Sequence, residues 1–492
     1  MSDPSEQSKG TDEQQVQEAL QKNPHILQML AENSLLVAES VRDNYFKNTA
    51  KFVAALRKTK KKSPPILCVQ EVGDVKWSEV QNEVVTFIDG GVGRVQMSSQ
   101  APILLRVGSY RVKTGERCLT EREQFGYYPV VLGDLEGGSK QREDFVDIVR
   151  ITAELLGGLA ALERTPDLRM LMFHGPLVYT VWKYMGHAPF TESDVDLFLQ
   201  HYAPQPGLAD QVKNDFLNEA RLEIYPQIVP NHADEWVRKR LFEPLSWMAF
   251  LFRKLIKEAK KRTPVPLIVG VVERGRLREF CETTLLPKVF RHLREIGNED
   301  YFNKIFGRDD LVSPEKLLDA LGYNDAILLS MLLKPGDFSE PWDIQKYNGF
   351  SHSEVPLPGE ANAPRVNFNP LRPGPIGFPK VRGFYISVSD ATEPIRVEVF
   401  DDLSSNQVVE TAYRVYLYAR MLPGYGFPVG LDIADKYAKI PAWMTDAYDK
   451  MIRFQLGVSL QNGEITDAEM RRLLIQGIYM KQRDWLFRPG SN

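Results

Sequence analysis

The strongest hydrophobic pattern in the chain is a run of apolar and β-branched residues at 84–88, Val-Val-Thr-Phe-Ile, typical of a strand buried on both faces. The run ends at Asp89, which is followed by a Gly-Gly pair that favours a turn. Two more strand-like stretches, Arg94–Met97 and Ile103–Val112, follow at hairpin spacing. This pattern predicts an aspartate at the end of a central strand, where its oxygens can face a metal ion. A turn aspartate bonded to its own backbone is the alternative.

Two further elements place polar side chains in similar positions. A helix is predicted over 141–164, with Glu154 at the edge of its apolar face. A short apolar strand, Leu168–Phe173, then ends at His174 and a Gly-Pro pair. Glu154 is therefore either a ligand or an ordinary surface glutamate, and His174 is either a ligand or a histidine satisfied by hydrogen bonds.

The remaining pattern contains strands, helices and two irregular connections. Strands are predicted at Pro266–Val272 and at two alternating segments near 383–400. The polar, glycine-bearing stretch 116–140 is predicted to be a connection. The Pro/Gly/Asn-rich stretch 335–381 has no periodicity and is predicted to be a long loop.

Composition narrows the functional classes. The three cysteines of the 492-residue chain form no C-x-x-C pair, which argues against a disulfide framework or a zinc ribbon and predicts a cytoplasmic protein. No apolar run is long enough to span a bilayer, and the N-terminus is polar, so no membrane association is expected. A Walker-type phosphate loop is also absent from the sequence, which argues against an ATPase.

A nucleic-acid partner would need a local basic surface, because the formal net charge is −4. Basic residues are dense near the end of one predicted helix and after the strand at 266–272. The candidates for contacts with a DNA backbone are Arg94, Lys254, Lys257, Lys260, Lys261, Arg262, Arg274 and Arg276. Solvated helix faces are the alternative interpretation of these residues.

The order of these motifs resembles the NurA nuclease family, whose members work with the HerA hexameric DNA translocase. The matching stretches are Ile88-Asp89-Gly90-Gly91, Ala153-Glu154-Leu155, Phe173-His174-Gly175-Pro176-Leu177 and Phe427-Pro428 with Ala434-Asp435. Three positions depart from the family pattern. His174 stands where an aspartate is expected, a glycine follows Asp89-Gly90 in place of serine, and Asp435 occupies a position that is often histidine.

The resemblance implies an α/β fold with an RNase H-like mixed sheet core, flanking helices and a large helical insertion. It also implies a 5′–3′ DNA nuclease that uses Mn²⁺ or Mg²⁺, with two ions held by Asp89, Glu154, His174 and Asp435. Several oxygen ligands from separate elements suit such ions. The implied partners are DNA, a HerA-type hexameric ATPase and a second copy of the chain. The implied role is end resection or defence against phage.

The domain organisation expected on this basis is a disordered tail (1–13), an N-terminal helical segment (14–63), two parts of the nuclease core (64–178 and 263–445), a helical insertion between them (179–262) and C-terminal helices (446–492). Two other functions fit the same pattern. The exchange of an acid for His174 would suit a catalytically silent subunit that clamps DNA or regulates the ATPase. An RNase H-like nuclease acting on RNA is the third possibility.

Overall fold

The computed structural model describes residues 24–60, 66–94, 103–132, 139–177, 195–196, 199, 208–219, 244–273, 275–344, 353–356, 365–368 and 378–476. These residues divide into two compact units. The smaller unit combines described residues up to Cys68 with Arg276–Leu332, and the larger combines described residues of Val69–Gly275 and Leu333–Asn492. The predicted tail 1–13 lies outside the described residues, as does most of the predicted insertion. Within the described ranges, no helix has both the length and the apolar character needed to cross a bilayer.

The strands are β1 (Val69–Glu71), β2 (Val84–Arg94), β3 (Ile103–Lys113), β4 (Glu123–Leu132), β5 (Leu168–His174), β6 (Leu267–Val272), β7 (Asp337–Ser339), β8 (Trp342–Asp343), β9 (Ser353–Pro356), β10 (Arg365–Phe368), β11 (Val381–Ile386) and β12 (Ile395–Phe400). All but β9 and β10, which pair with each other, join one mixed sheet. Its order is β1-β7-β11-β12-β6-β5-β2-β3-β4, with β8 beside β11.

The helices are α1 (Pro24–Ser40), α2 (Lys47–Lys60), α3 (Leu119–Arg122), α4 (Ser139–Arg164), α5 (Leu208–Glu219), α6 (Pro244–Lys260), α7 (Leu286–Glu295), α8 (Tyr301–Phe306), α9 (Pro314–Leu321), α10 (Asp325–Ser330), α11 (Ser405–Ala419), α12 (Val429–Ala438) and α13 (Ala442–Gln461). Two π-helical turns precede α2 and α7. The prediction of a mixed α/β fold with flanking helices is confirmed.

The smaller unit is helical and has its own aromatic core. Phe52 of α2 packs against Phe302 and Phe306, with ring centroids 5.5 and 6.2 Å away. The buried carboxylate of Asp325 accepts hydrogen bonds from the backbone N–H groups of Phe280 and Cys281. These bonds satisfy donors at the start of the π-helical turn before α7, which otherwise have no partner within the helix.

Three neighbouring strands at the centre of the large sheet, β6, β5 and β2, run parallel. Their carboxyl ends therefore lie at one edge, which is where α/β sheets bind ligands. The pairing between β2 and β5 stops at Ile88, whereas β2 continues to Arg94 paired with β3. Asp89 thus stands at the point where β2 separates from β5.

The predicted Gly-Gly turn after Asp89 is wrong, because β2 runs through both glycines in strand geometry. The reason for these glycines is close packing. A Cβ atom at Gly91 would overlap the carbonyl oxygen of Ala438, and one at Gly108 would lie 2.5 Å from the carbonyl oxygen of Ala434. The absence of side chains on β2 and β3 therefore allows the backbone of α12 to lie directly on the sheet.

The two faces of the sheet are covered by different helices. The buried cluster on one face includes Val85, Phe87 and Met172 from the strands and Leu431 from α12. On the other face α4 packs closely, since a Cβ atom at Gly158 would lie 2.5 Å from the ring of Phe173. Successive strand residues point to opposite faces, so Asp89 shares the α12 face with Phe87.

Two predicted irregular connections contain strands. The stretch 116–140 contains β4, which pairs with β3 along its whole length. The stretch 335–381 contains β7 and β8, which join the sheet beside β11, and the small pair β9–β10. Pro129 within β4 and the short lengths of β7 and β8 explain why no strand was predicted, since proline is tolerated only at sheet edges.

We expect Gly430→Ala to destabilise the protein by about 2 kcal/mol, because a Cβ atom there would overlap the buried ring of Phe87. Gly457→Ala in α13 is the matched control. A Cβ atom at Gly457 meets nothing within 4 Å, so this change should be neutral or stabilise the helix by about 0.5–1 kcal/mol. Urea unfolding of both variants measures the difference, and equal stabilities would contradict the close packing of α12 on β2.

Candidate metal centre

Three of the predicted site residues meet at the carboxyl edge of the parallel strands. Asp89 comes from β2, His174 from the end of β5, and Asp435 from α12. One potential ligand atom of each residue lies within 4.8 Å of those of the other two. The two strands supply neighbouring positions on one face of the sheet, and the glycine-lined contact with α12 brings the third residue close. Asp89 is buried, while His174 and Asp435 are partly exposed.

Hydrogen bonds fix the two strand residues. The Nδ1 atom of His174 lies 2.8 Å from Oδ2 of Asp89, and the backbone N–H of Gly90 donates to the other oxygen, Oδ1, at 2.8 Å. The imidazole also packs against Phe427, with ring centroids 5.3 Å apart. Both alternatives considered from the sequence therefore describe real contacts, because Asp89 bonds its own backbone and His174 is hydrogen-bonded at a strand end. Neither contact prevents metal binding.

The electrostatic environment favours a charged imidazole when no cation is bound. Burial lowers the pKa of His174, but the hydrogen bond that its imidazole donates to Asp89 and the negative charges of Asp89, Asp435 and Glu154 outweigh burial, so the pKa is raised above 6.5. A site that attracts a proton through several carboxylates also attracts a metal cation. Metal binding at this site must therefore compete with protonation of His174.

Glu154 does not join the three-residue cluster. It lies on α4, on the other side of β2, where a Cβ atom at Gly90 would come 2.5 Å from its Oε1 atom. Its carboxylate forms an ion pair with Arg150, one helical turn earlier. Burial raises the pKa of Glu154 to about 7, the charge of Asp89 acts in the same direction, and Arg150 opposes the shift. Gly90 therefore makes room for a buried carboxylate behind the cluster.

The cluster fits a divalent cation. Two carboxylates and one imidazole provide the oxygen and nitrogen ligands that Mn²⁺ accepts, and Mg²⁺ prefers oxygen. In octahedral coordination with bonds near 2.1 Å, adjacent ligand atoms are about 3 Å apart. The 2.8 Å separation between Asp89 Oδ2 and His174 Nδ1 is close to this value. The donor set is thus suited to an ion with a preference for mixed oxygen and nitrogen ligands.

We expect the stability of the metal-free protein to fall as the pH rises from 4.5 to 7, because of Glu154. In this window the folded protein retains a proton that the unfolded chain has already released, so unfolding gains in favour. The shift from 4.5 to about 7 corresponds to on the order of 3 kcal/mol. Urea unfolding in EDTA at several pH values measures the slope. Glu154→Gln should remove this part of the slope, whereas exposed Glu163→Gln on the same helix should not. Parallel slopes for Glu154→Gln and the unaltered protein would contradict the assignment.

The structure adds residues that sequence reasoning did not include in the site. Glu273 directly follows β6, the third parallel strand. The hydroxyl of Tyr425 donates to Asp432 at 3.2 Å, and burial, Glu273, Asp432 and Asp435 together raise the pKa of Tyr425 to about 12. The signal for Glu273 was its place after a buried strand, as for Asp89 and His174. Arg150 could have been found from its spacing of four residues from Glu154.

The basic residues predicted to contact DNA do not form a single cluster, and most of those that the structure describes are paired with other groups. Lys254 is paired with Asp215 at 3.0 Å, Lys261 with Glu258 at 2.8 Å, and Arg262 donates to the carbonyl oxygen of Thr165 at 2.8 Å. Lys260 pairs with Asp402, Lys257 is exposed, and Arg276 is exposed in the smaller unit. Arg274 and the side chain of Arg94 lie outside the described residues. DNA contacts by this set stay a prediction.

A family model and several solved structures resemble this chain. A NurA domain matches residues 83–440. No curated protein matches the chain. Solved structures that resemble it include the NurA nuclease from Sulfolobus solfataricus, with 13% identity, a TM-score of 0.45 and coverage of 89% of this chain and 98% of that chain.

A NurA bound to dAMP and manganese has 12% identity, a TM-score of 0.35 and coverage of 86% and 94% of the respective chains. A NurA with manganese has 11% identity, a TM-score of 0.37 and coverage of 84% and 97%. Because these TM-scores lie below 0.5, the family assignment depends on the domain match, which includes all four predicted site residues and more than half of the chain. The chain belongs to the NurA family.

Proposed function

We propose that the protein is a metal-dependent DNA nuclease whose metal centre is formed by Asp89, His174 and Asp435. The observation that supports this most directly is the convergence of these side chains within 4.8 Å at the carboxyl edge of the parallel strands, inside a NurA domain. Hydrolysis of a phosphodiester requires stabilisation of negative charge on the phosphate and activation of a water molecule. A divalent cation supplies both when bound.

Each of the four predicted site residues has a distinct part in this proposal. Asp89 and Asp435 would hold the cation, and the N–H of Gly90 fixes the orientation of Asp89. His174 contributes an imidazole nitrogen and gives up its proton to do so. Glu154 is buried behind the cluster with a pKa near 7, so it can hold a proton beside the site or release it at neutral pH. To serve as a metal ligand, as the family resemblance implies, Glu154 would have to release Arg150.

The finer points of the proposal come from the family. They are 5′–3′ exonuclease or single-strand endonuclease activity, an RNase H-like core, two Mn²⁺ or Mg²⁺ ions, a homodimer in the cytoplasm and a HerA-type hexameric ATPase as partner. The cellular role would be end resection or anti-phage defence. A solved NurA binds dAMP and manganese, which supports a nucleotide product and a manganese cofactor for this chain also.

The test is digestion of end-labelled linear DNA by the purified protein with Mn²⁺, Mg²⁺ or EDTA, alone and with a cognate ATPase. Single-stranded DNA, duplex DNA and RNA are compared side by side, so that an RNA nuclease is recognised. Loss of label that depends on the metal supports the proposal. Full-length DNA in every condition, with the ATPase present, would exclude the nuclease.

One observation favours a second function, a catalytically silent DNA-clamping or regulatory subunit. The sequence has His174 where the family resemblance implies a third acid, and Glu154 forms an ion pair with Arg150 and lies outside the cluster. Fewer oxygen ligands weaken the binding of hard ions. This function predicts DNA binding and association with the ATPase without cleavage.

We expect His174→Asp to change the metal preference of the nuclease. The aspartate replaces a nitrogen ligand by oxygen, so activity with Mg²⁺ should increase by about tenfold relative to activity with Mn²⁺. Cleavage rates over a concentration series of each metal give this ratio. His292→Asp, a change in the smaller unit, is the control and should leave the ratio unchanged. An unchanged ratio in His174→Asp would show that the imidazole is not a ligand.

A further inference from the structure

A concave site lies on the face of the sheet that carries the metal cluster. This aromatic pocket has a volume of about 400 Å³ and is formed by β2, β3, the start of β4, the end of α11 and α12. Its buried walls include the rings of Phe87, Tyr110 and Tyr418, while Trp77 and Met421 at its rim are 46% and 55% exposed. A mostly apolar pocket of this size with a few polar groups is typical of a site for a small organic ligand.

The geometry of the aromatic rings suits a flat ligand. Phe87 and Tyr110 are stacked at 6.0 Å with an interplanar angle of 25°, and Tyr418 meets Phe87 edge-on at 86°. Trp77 also meets Tyr418 edge-on, at 5.8 Å. The exposed indole of Trp77 thus offers a free surface at the rim above rigid aromatic walls. Ring faces of this kind bind nucleobases of any sequence, because every base has a π face.

Polar groups in the walls distinguish this pocket from a purely apolar cavity. The side chain of Tyr418 is buried, with only 4% of its surface exposed. Within the described residues its hydroxyl has no hydrogen-bond partner. An aliphatic ligand would leave this hydroxyl unsatisfied, whereas the edge of a nucleobase carries donors and acceptors. Lys113 and Arg122 line the pocket but are paired with glutamates at 3.2 and 2.8 Å. The pocket therefore favours a ring over a free phosphate.

The pocket and the metal cluster share two elements. Phe87 in the pocket wall precedes Asp89 by two residues on β2, so both point to the same face about 7 Å apart along the strand. Ile433 of the pocket and Asp435 of the cluster lie two residues apart on α12, about 200° around the helix axis, so their side chains point away from each other and only the spacing on β2 gives the separation of the two sites. A base in the pocket would therefore lie within a short length of DNA from a phosphate at the cluster.

We propose that this aromatic pocket receives an unstacked nucleobase of single-stranded DNA and so positions the strand for cleavage at the metal cluster. This proposal specifies the substrate of the proposed nuclease. It rests on the nuclease function for the claim that the bound strand is cleaved. Base entry requires an unpaired strand, since a base within a duplex is stacked and paired. The pocket would thus select single-stranded ends or frayed ends over intact duplex.

The test is equilibrium binding of short single-stranded oligonucleotides in EDTA, which separates base binding from cleavage. An abasic residue is placed in turn at each of the first few positions from either end. We expect one position at which loss of the base weakens binding roughly tenfold. In Trp77→Ala this difference between normal and abasic DNA should disappear. Tyr418→Phe should reduce it without lowering stability, because it removes only an unpartnered hydroxyl.

Trp443→Ala is the matched control, since Trp443 is 68% exposed on α13 and does not line the pocket. It should bind DNA as the unaltered protein does. An abasic effect that is equal in all proteins, or absent in all, would overturn the proposal. A free deoxynucleoside monophosphate that abolishes the abasic difference by competition would support base recognition in the pocket. Metal-dependent cleavage is measured separately, so a missing base effect with intact cleavage overturns the pocket alone, and a base effect without cleavage overturns the nuclease.

Discussion

Replacement of Asp89 by alanine is expected to reduce metal-dependent DNA cleavage by about a thousandfold or more. Asp89 is buried and central to the cluster, and its two oxygens contact His174 and the N–H of Gly90. The alanine variant lacks the carboxylate that β2 contributes to the cluster, and the imidazole of His174 loses its hydrogen-bond acceptor. A metal ion contributes several kcal/mol to stabilisation of the transition state, which corresponds to a rate factor of this size. Initial rates on end-labelled DNA over a range of Mn²⁺ concentrations measure the effect.

Asp432→Ala is the matched control for this experiment. Asp432 lies on α12 three residues before Asp435, is exposed, and accepts a hydrogen bond from Tyr425. The cleavage rate of Asp432→Ala should stay within about tenfold of that of the unaltered protein, which is typical when a group outside the direct metal ligands is removed. Asp89→Asn adds a second comparison, because it preserves shape while removing charge. If Asp89→Ala remains folded and cleaves DNA at the normal rate, the metal centre lies elsewhere.

The candidate site was predictable from the sequence in part. Asp89 and His174 follow buried apolar runs, and parallel strands bring such positions to one edge. Asp435 has no comparable local signal, since an acid on an amphipathic helix is common, and its assignment came from the family resemblance. The family resemblance put Glu154 in the same ligand set, whereas the helix pattern alone left it either a ligand or a surface glutamate. Periodicity shows that a helix has an apolar face but does not show which sheet face it covers.

The errors in the fold have the same origin. A Gly-Gly pair after an acid predicts a turn when only neighbouring residues are considered. In the structure, Gly91 and Gly108 serve a contact with α12, more than three hundred residues later in the sequence. The strand β4 was missed because Pro129 weakens its local signal, and it is stabilised by its full pairing with β3. Elements determined by local pattern were predicted correctly, whereas those determined by distant partners were not.

Glu398→Ala is expected to destabilise the protein by about 3–5 kcal/mol, which is the second large effect. Glu398 is fully buried on β12 and pairs at 3.0 Å with Arg396, which lies two residues earlier on the same face of the strand. Its other oxygen accepts the backbone N–H of Leu177 at 2.9 Å. The alanine variant leaves a buried guanidinium without this partner and a backbone donor without its acceptor.

The same contact also supports the position of His174 in the proposed metal centre. Leu177 lies in the short turn that follows His174, and Gly270 on β6 allows this turn to lie directly against β6, because a Cβ atom there would lie 2.7 Å from the carbonyl oxygen of Gly175. Glu398 thus anchors the segment that holds His174 at the end of β5. Loss of the anchor should therefore weaken Mn²⁺ binding as well as stability.

Two measurements separate these effects. Urea unfolding of Glu398→Ala, Glu398→Gln and exposed Glu393→Gln gives the stability change, with the glutamine variant intermediate because it retains an acceptor for Leu177. Calorimetric titration with Mn²⁺ under conditions where each variant is folded gives the metal affinity. We expect about a tenfold loss for Glu398→Ala, typical of outer partners of a metal ligand, and none for Glu393→Gln. A stability near that of the unaltered protein would show that Glu398 neither balances Arg396 nor supports the turn. A large loss of stability with unchanged metal affinity would limit its role to the fold and leave His174 positioned by Asp89 and Phe427 alone.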